Sequence, residues 1–160
     1  MNSPRSRSTT SSQGRIRLRR DTIGKLRDIG VRPRRRLGQN FVVDPLLVER
    51  LVELGNINSR DVVLEIGAGL GTLTKALAVR CRKVYAVEID KRLCSALPDL
   101  LRDHRNTETI CGDALKVELP DFNKMVSNPP FSISSKLILK ILGWDFEMAI
   151  MTLQDEFASR

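Results

Sequence analysis

The residues best placed to do chemistry begin with Asn128-Pro129-Pro130-Phe131, directly after the apolar run Met125-Val126-Ser127. An aromatic amine is a poor nucleophile because its lone pair is delocalised into the ring. The Asn128 carboxamide oxygen and the Pro129 carbonyl can both accept hydrogen bonds from such an amine. That orients it and raises electron density on nitrogen as an electrophile approaches. Proline fixes the backbone and adds no competing N–H donor. Phe131 can stack on a base that is single-stranded or flipped out. The plainer alternative is a Pro-Pro turn beside a packed Phe.

Upstream lies Glu65-Ile66-Gly67-Ala68-Gly69-Leu70-Gly71, with glycines spaced G-x-G-x-G. A dinucleotide-binding fingerprint needs its third glycine where Thr72 stands, which disfavours a hydride-transferring dehydrogenase. Closely spaced glycines let a backbone turn tightly and approach a bulky ligand; a simple strand-to-helix turn is the alternative. With Glu65 just before them, they look like the S-adenosylmethionine loop of class I methyltransferases. Glu88, 17 residues after Gly71, ends an apolar run where a carboxylate can accept from both hydroxyls of a ribose. Asp90 is better explained as a helix cap. Asp113 is either a turn residue or an acceptor for an adenine amino group; its register with Glu65 and Glu88 favours the acceptor. A nucleotide-type pocket beside a reader of a planar amine points to methyl transfer onto a nucleobase.

The elements that position these residues alternate. Asp44-Pro45 opens a helix with Leu46, Leu47, Val48, Leu51, Val52 and Leu54 on one broad face. Strands are expected at 62–66, 83–89, 109–111, 124–127 and 147–153, with helices at 72–80, after Asp90, and at 134–142. Strand, helix, strand at this spacing means right-handed crossovers and a parallel sheet. Ligands of such sheets bind beyond the carboxyl ends of the strands, where the candidate residues fall one by one.

The chain has 160 residues, 41% of them hydrophobic and enough for one domain core. No run reaches the 18 or so apolar residues of a membrane helix. Three cysteines and one histidine show no metal-ligand spacing, so no metal is expected and the cysteines read as unpaired thiols in a reducing compartment. The net charge of +8 is uneven: residues 1–37 hold 12 basic against 2 acidic side chains, and residues 38–160 hold 15 against 17. Residues 1–36 therefore read as a basic, largely disordered arm, disordered over 1–14, with a short helix opened by Asp21. Residues 37–160 form the core. The arm suits RNA phosphates; a tail without a partner and an organellar transit peptide are the alternatives.

In one order the chain carries Gly38-Gln39-Asn40-Phe41 after a basic run, Glu65–Gly71, Val87-Glu88-Ile89-Asp90 and Gly112-Asp113-Ala114-Leu115. Asn128–Phe131 with Ile133-Ser134-Ser135 follows, then Gln154-Asp155-Glu156-Phe157-Ala158. Over about residues 32–160 it resembles the ribosomal RNA adenine dimethyltransferases, particularly the archaeal-type members. The resemblance implies a Rossmann-like class I methyltransferase fold and S-adenosylmethionine as donor. The acceptors would be two adjacent adenines near the 3′ end of small-subunit ribosomal RNA, within a small-subunit precursor, acted on by a cytoplasmic monomer. Gln39 and Asn40 would lie near the methionine end of the cofactor, with Glu65, Gly67, Gly69 and Asn128 also around it. Glu88 would hold the ribose and Asp113 the adenine, while Asn128, Pro129 and Phe131 would hold the target amine.

Two departures bear on this. The family commonly has Asn-Leu-Pro-Tyr at the target loop; here the tyrosine hydroxyl is lost, and Asn-Pro-Pro-Phe also occurs in other amino-group methyltransferases, including those acting on DNA adenine. The chain also stops at Arg160, before the closing strands and the C-terminal helical domain of the family, so an incomplete core with weak or absent activity is expected. Other readings are an amino-group methyltransferase for another RNA or DNA, and an RNA-binding or transcription-factor-like protein that keeps the cofactor fold without activity.

Overall fold

A computed structural model describes residues 7–31, 41 and 44–154. The helices are α1 (Arg7–Asp28), α2 (Pro45–Leu54), α3 (Thr72–Ala78), α4 (Lys91–Leu100) and α5 (Ser134–Ile141). Interleaved with them are β1 (Val62–Ile66), β2 (Lys83–Glu88), β3 (Thr107–Cys111), β4 (Lys124–Ser127) and β5 (Met148–Met151). Local chemistry starts the helices. Asp44 accepts from the Leu46 amide (3.1 Å) with Pro45 in the first turn, and Asp90 accepts from the Arg92 amide (3.0 Å).

The strands form one sheet in the order β3-β2-β1-β4-β5, every pair parallel. After β3 the chain crosses to the other side of β1, so the topological switch lies between β1 and β4, where such sheets bind ligands. Alternation along the strands divides the core. Val63, Val84 and Val126 pack with Leu51 and Val52 of α2 and Leu73 and Leu77 of α3. Leu64, Ile66, Val87 and Met125 face the other way, onto Phe122 and onto Leu137 and Ile141 of α5. Full burial of a side chain such as Leu64 or Leu137 contributes about 2 kcal/mol. At the amino ends of the strands, buried Lys124 meets Asp61 (3.1 Å) and the Asn56 carbonyl (2.7 Å), while Asn123 Nδ2 donates to Asp61 (2.8 Å).

Beyond element ends a residue or two shorter, as in β5 and α3, the structure differs from the sequence expectations in three places. Within the arm, α1 begins at Arg7, where the sequence predicts a short helix only from Asp21, and Thr22, Leu26 and Val31 are buried. Leu26 and Val31 pack with Leu70 and Leu93, Arg92 donates to the Gly30 carbonyl (2.9 Å), and Arg15 faces Asp44 (3.6 Å). β3 starts two residues early, because Thr107 already pairs with Val84. Cys94 on α4 and Cys111 at the end of β3 are bridged rather than unpaired, their Cα atoms 5.7 Å apart; only the packing of α4 on β3 brings them together. Cys81 is a buried free thiol. As expected, β5 lies at the sheet edge. No helix among the described residues is long and apolar enough to cross a membrane, and no group of three or more potential metal ligands occurs among them.

Candidate functional site

A cavity opens at the carboxyl ends of the strands, and Glu65, Gly67, Gly69, Glu88, Asp113 and Asn128 all line it. These six were expected from sequence. Pro129, buried, and Phe131, half-buried, lie outside the lining; Phe131 opens a single 3-10 turn (Phe131–Ile133) that runs into α5. Gln39 and Asn40, with the tract 32–36, fall outside the described residues. Their neighbour Phe41 lines the cavity.

The glycine loop is shaped by what crosses it. Gly67 has φ 82°, and a Cβ there would lie 3.3 Å from Pro130 Cδ and 3.7 Å from the Asn128 carbonyl oxygen. The loop therefore packs directly on the Asn128–Pro130 segment, which a side chain would push away. Gly69, with φ 59°, lies under the Phe41 ring at 3.3 Å by the same measure.

Glu88 holds this loop in place. Its Oε2 accepts from the Gly69 amide (2.8 Å), and its Oε1 accepts from the amides of Ile89 and Asp90 (2.9 Å each). A carboxylate offers about four acceptor positions, so one remains for a ligand hydroxyl where the sequence suggested two. The Glu88 carbonyl accepts from the Gly112 amide (2.8 Å), joining the β2 and β3 ends of the site. Asp113 then accepts from the Leu115 amide (3.0 Å), a turn contact that coexists with its place in the cavity wall.

Glu65 is the electrostatic anomaly. It is fully buried on β1, and burial pushes its carboxyl up from 4.5 to about 8. The Thr74 hydroxyl of α3 works against that rise and the Glu88 carboxylate adds to it. Yet Glu65 Oε2 and Thr74 Oγ1 both lack a hydrogen-bond partner of good geometry. An orphaned buried oxygen in a cavity wall is costly without a ligand group to meet it.

Several residues of the site escaped sequence reasoning. Thr22 brings α1 into the cavity wall. Ser127 Oγ accepts from the Ile66 amide (2.8 Å), fastening β1 to β4 at the switch point. The Thr152 hydroxyl donates to Asn128 Oδ1. Ser127 had a signal, a small hydroxyl at a strand end; Thr152 had none, since its partner is distant in sequence.

Comparison with known proteins follows the same lines. A model of the family described as "Ribosomal RNA adenine dimethylase" matches residues 30–160. A Thermococcus onnurineus protein named "Probable ribosomal RNA small subunit methyltransferase A" is 50% identical over 134 residues, which are 82% of this chain and 48% of that protein. The chain thus spans about half the length of the curated relatives it matches. A Plasmodium falciparum dimethyladenosine transferase superposes with a TM-score of 0.69 at 36% identity, over 73% of this chain and 44% of that one. The 23S rRNA methyltransferase ErmE gives the same score and identity over 74% and 50%. With most of its length matched by the family model, and with relatives of high identity and matching fold, the chain belongs to the ribosomal RNA adenine dimethylase family.

Proposed function

We propose that this chain carries the cofactor-binding part of a methyltransferase that uses S-adenosylmethionine to methylate the exocyclic amine of adenines in ribosomal RNA. The names of its curated relatives support small-subunit RNA as the substrate and the family description supports dimethylation, while two adjacent adenines near the 3′ end are what the sequence resemblance implies. The single observation that carries the proposal is the convergence of Glu65, Gly67, Gly69, Glu88, Asp113 and Asn128 on one cavity.

The donor set fits such a cofactor. The orphaned Glu65 oxygen suits the ammonium of an amino acid. Glu88 has one acceptor position for a ribose hydroxyl, and Asp113 serves the adenine amine. When bound, the cofactor supplies an electrophilic methyl group on a sulfonium. Asn128 and the Pro129 carbonyl hold the target amine by accepting its hydrogens, so that its lone pair is free to form the N–C bond. The surplus proton leaves nitrogen for water afterwards, and no strong general base is required. Phe131, beside the cavity rather than in it, would stack on the base outside the cofactor pocket. The exposed Arg15, Arg17, Arg19, Arg20, Lys25 and Arg27 of α1 would meet RNA phosphates.

Calorimetric titration with S-adenosylmethionine, alongside Asp113→Ala, tests the pocket; methyl transfer to a small-subunit RNA fragment, alongside Asn128→Ala, tests the chemistry. Binding weakened by Asp113→Ala and transfer abolished by Asn128→Ala are expected. A folded wild-type chain without affinity for the cofactor would overturn the proposal. The ErmE likeness supports a second acceptor, an adenine of large-subunit RNA, and the same transfer assay with that RNA separates the two.

A further inference from the structure

Lys140, in the last turn of α5, donates from Nζ to the carbonyl oxygens of Ala114 (2.8 Å) and Val117 (2.6 Å). It also lies 5.9 Å from the centroid of the Trp144 ring. An ammonium has three donors and no acceptor, so two of the three grip a single loop, through short charge-assisted bonds. That loop begins at Asp113. It is one tight turn: the Asp113 carbonyl accepts from the amides of Lys116 (2.8 Å) and Val117 (2.9 Å), and Asp113 Oδ1 accepts from Leu115. The turn thus meets the N–H groups of Leu115, Lys116 and Val117 itself, whereas the carbonyls of Ala114 and Val117 are met by Lys140.

The other end of this grip matters as much. α5 follows directly from the Asn128–Ile133 segment, so its orientation is fixed by the amine-reading side of the site. Gly112, Asp113 and Ala114 line one part of the cavity, and Asn128, Pro130 and Ile133 another. Lys140 is thus a strut between the two walls. A lysine lying on the surface along Trp144 would leave its ammonium to water; this one carries two protein carbonyls.

Resting on the cofactor reading above, we propose that Lys140 is a positioning residue: it sets the place of Asp113 relative to Asn128 and so governs how well the pocket discriminates the adenine amine. The test compares S-adenosylhomocysteine with S-inosylhomocysteine, in which an oxo group replaces that amine, on wild type, Lys140→Met and Lys140→Arg. Wild type should prefer the adenosyl ligand by about tenfold, the worth of one hydrogen bond to a charged acceptor. Lys140→Met keeps the aliphatic stem but should lower the ratio to about twofold or less, and Lys140→Arg should restore most of it. A purely structural lysine would weaken both ligands together and leave the ratio alone, and that result would overturn the proposal. Amide hydrogen exchange gives an independent check without ligand: Lys116 and Val117 should exchange about tenfold faster in Lys140→Met while the strand amides stay protected. Unchanged protection there would also overturn it. Failure of wild type to bind either ligand would instead overturn the cofactor reading, and the exchange result would still decide the strut.

Discussion

Glu65 offers a quantitative test of how the site is built. The carboxyl is fully buried, its Oε2 is unpartnered, and its pKa is raised to about 8. A group whose pKa is higher in the folded than in the unfolded chain contributes its full stability below the unfolded value, near 4.5, and loses it as pH rises through the folded value. The free chain should therefore become less stable between about pH 4.5 and 8. The ceiling on the loss is about 5 kcal/mol, before relaxation and water entry reduce it. Glu65→Gln removes the titration, so its stability should lack that decline and exceed wild type by a margin that grows toward pH 8. Urea denaturation from pH 5 to 9, followed through the fluorescence of Trp144, the single tryptophan, measures both curves. Binding adds a second readout. A ligand ammonium would hold Glu65 ionised, so at pH 7 wild type should release most of a proton on binding S-adenosylmethionine, seen as buffer-dependent calorimetric enthalpy, and Glu65→Gln should release none from this site. Parallel stability–pH curves for the two proteins would refute the reasoning.

Glu88→Gln places an NH2 group among three amides that now share a carboxylate, and should cost about 2–3 kcal/mol in chemical denaturation as well as cofactor affinity; undiminished stability would mean the glycine loop does not depend on Glu88. Burial works to raise the Asp61 pKa, but hydrogen bonds from Asn123 and Asn58 and the Lys124 ammonium hold it below the usual range. This stability is present above the unfolded carboxylate value and lost as pH falls through the folded one, so Asp61→Asn should flatten the acid limb of the unfolding profile. At neutral pH it should cost about 3 kcal/mol by stranding Lys124, and an unaltered acid limb would count against the pair. Replacing Arg17, Arg19 and Arg20 with Gln should reduce the slope of log affinity against log salt for ribosomal RNA by about 2; an unchanged slope would put the phosphate contacts elsewhere.

The cavity was legible because parallel-sheet chemistry concentrates at strand ends, and strand ends are marked by residues that stand out in a short apolar run. Glu65, Glu88, Asp113 and Asn128 each sit where such a run stops. The bonds that hold them were not legible, because they join residues distant along the chain. Lys140 reaches back 26 residues to Ala114, Thr152 reaches 24 to Asn128, and Ser127 reaches 61 to Ile66. Spacing can nominate a ligand-facing carboxylate, but it cannot count how many of that carboxylate's acceptor positions the backbone already occupies. Hence Glu88 reads in sequence as a ribose clamp and in the structure first as the anchor of the glycine loop.

The N-terminal helix shows the opposite failure, in which a signal was present but averaged away. Its composition is dominated by arginine, yet Leu18, Thr22, Leu26 and Ile29 recur at helical spacing. Thr22 and Leu26 on that stripe are buried, while Arg15, Arg17, Arg19, Arg20, Lys25 and Arg27 are exposed. Net charge counts both sets together, but a helix separates them by its own geometry. Because Thr22 also lines the cavity, the exposed Arg19, Arg20 and Lys25 lie within one helical turn, about 5.4 Å along the axis, of a residue of the cavity wall. An RNA held along those cations would therefore touch the same element that contributes Thr22 to the cavity wall. Extra positive charge on a detached tail could strengthen RNA binding alone; on this docked helix it can also orient the RNA relative to the pocket.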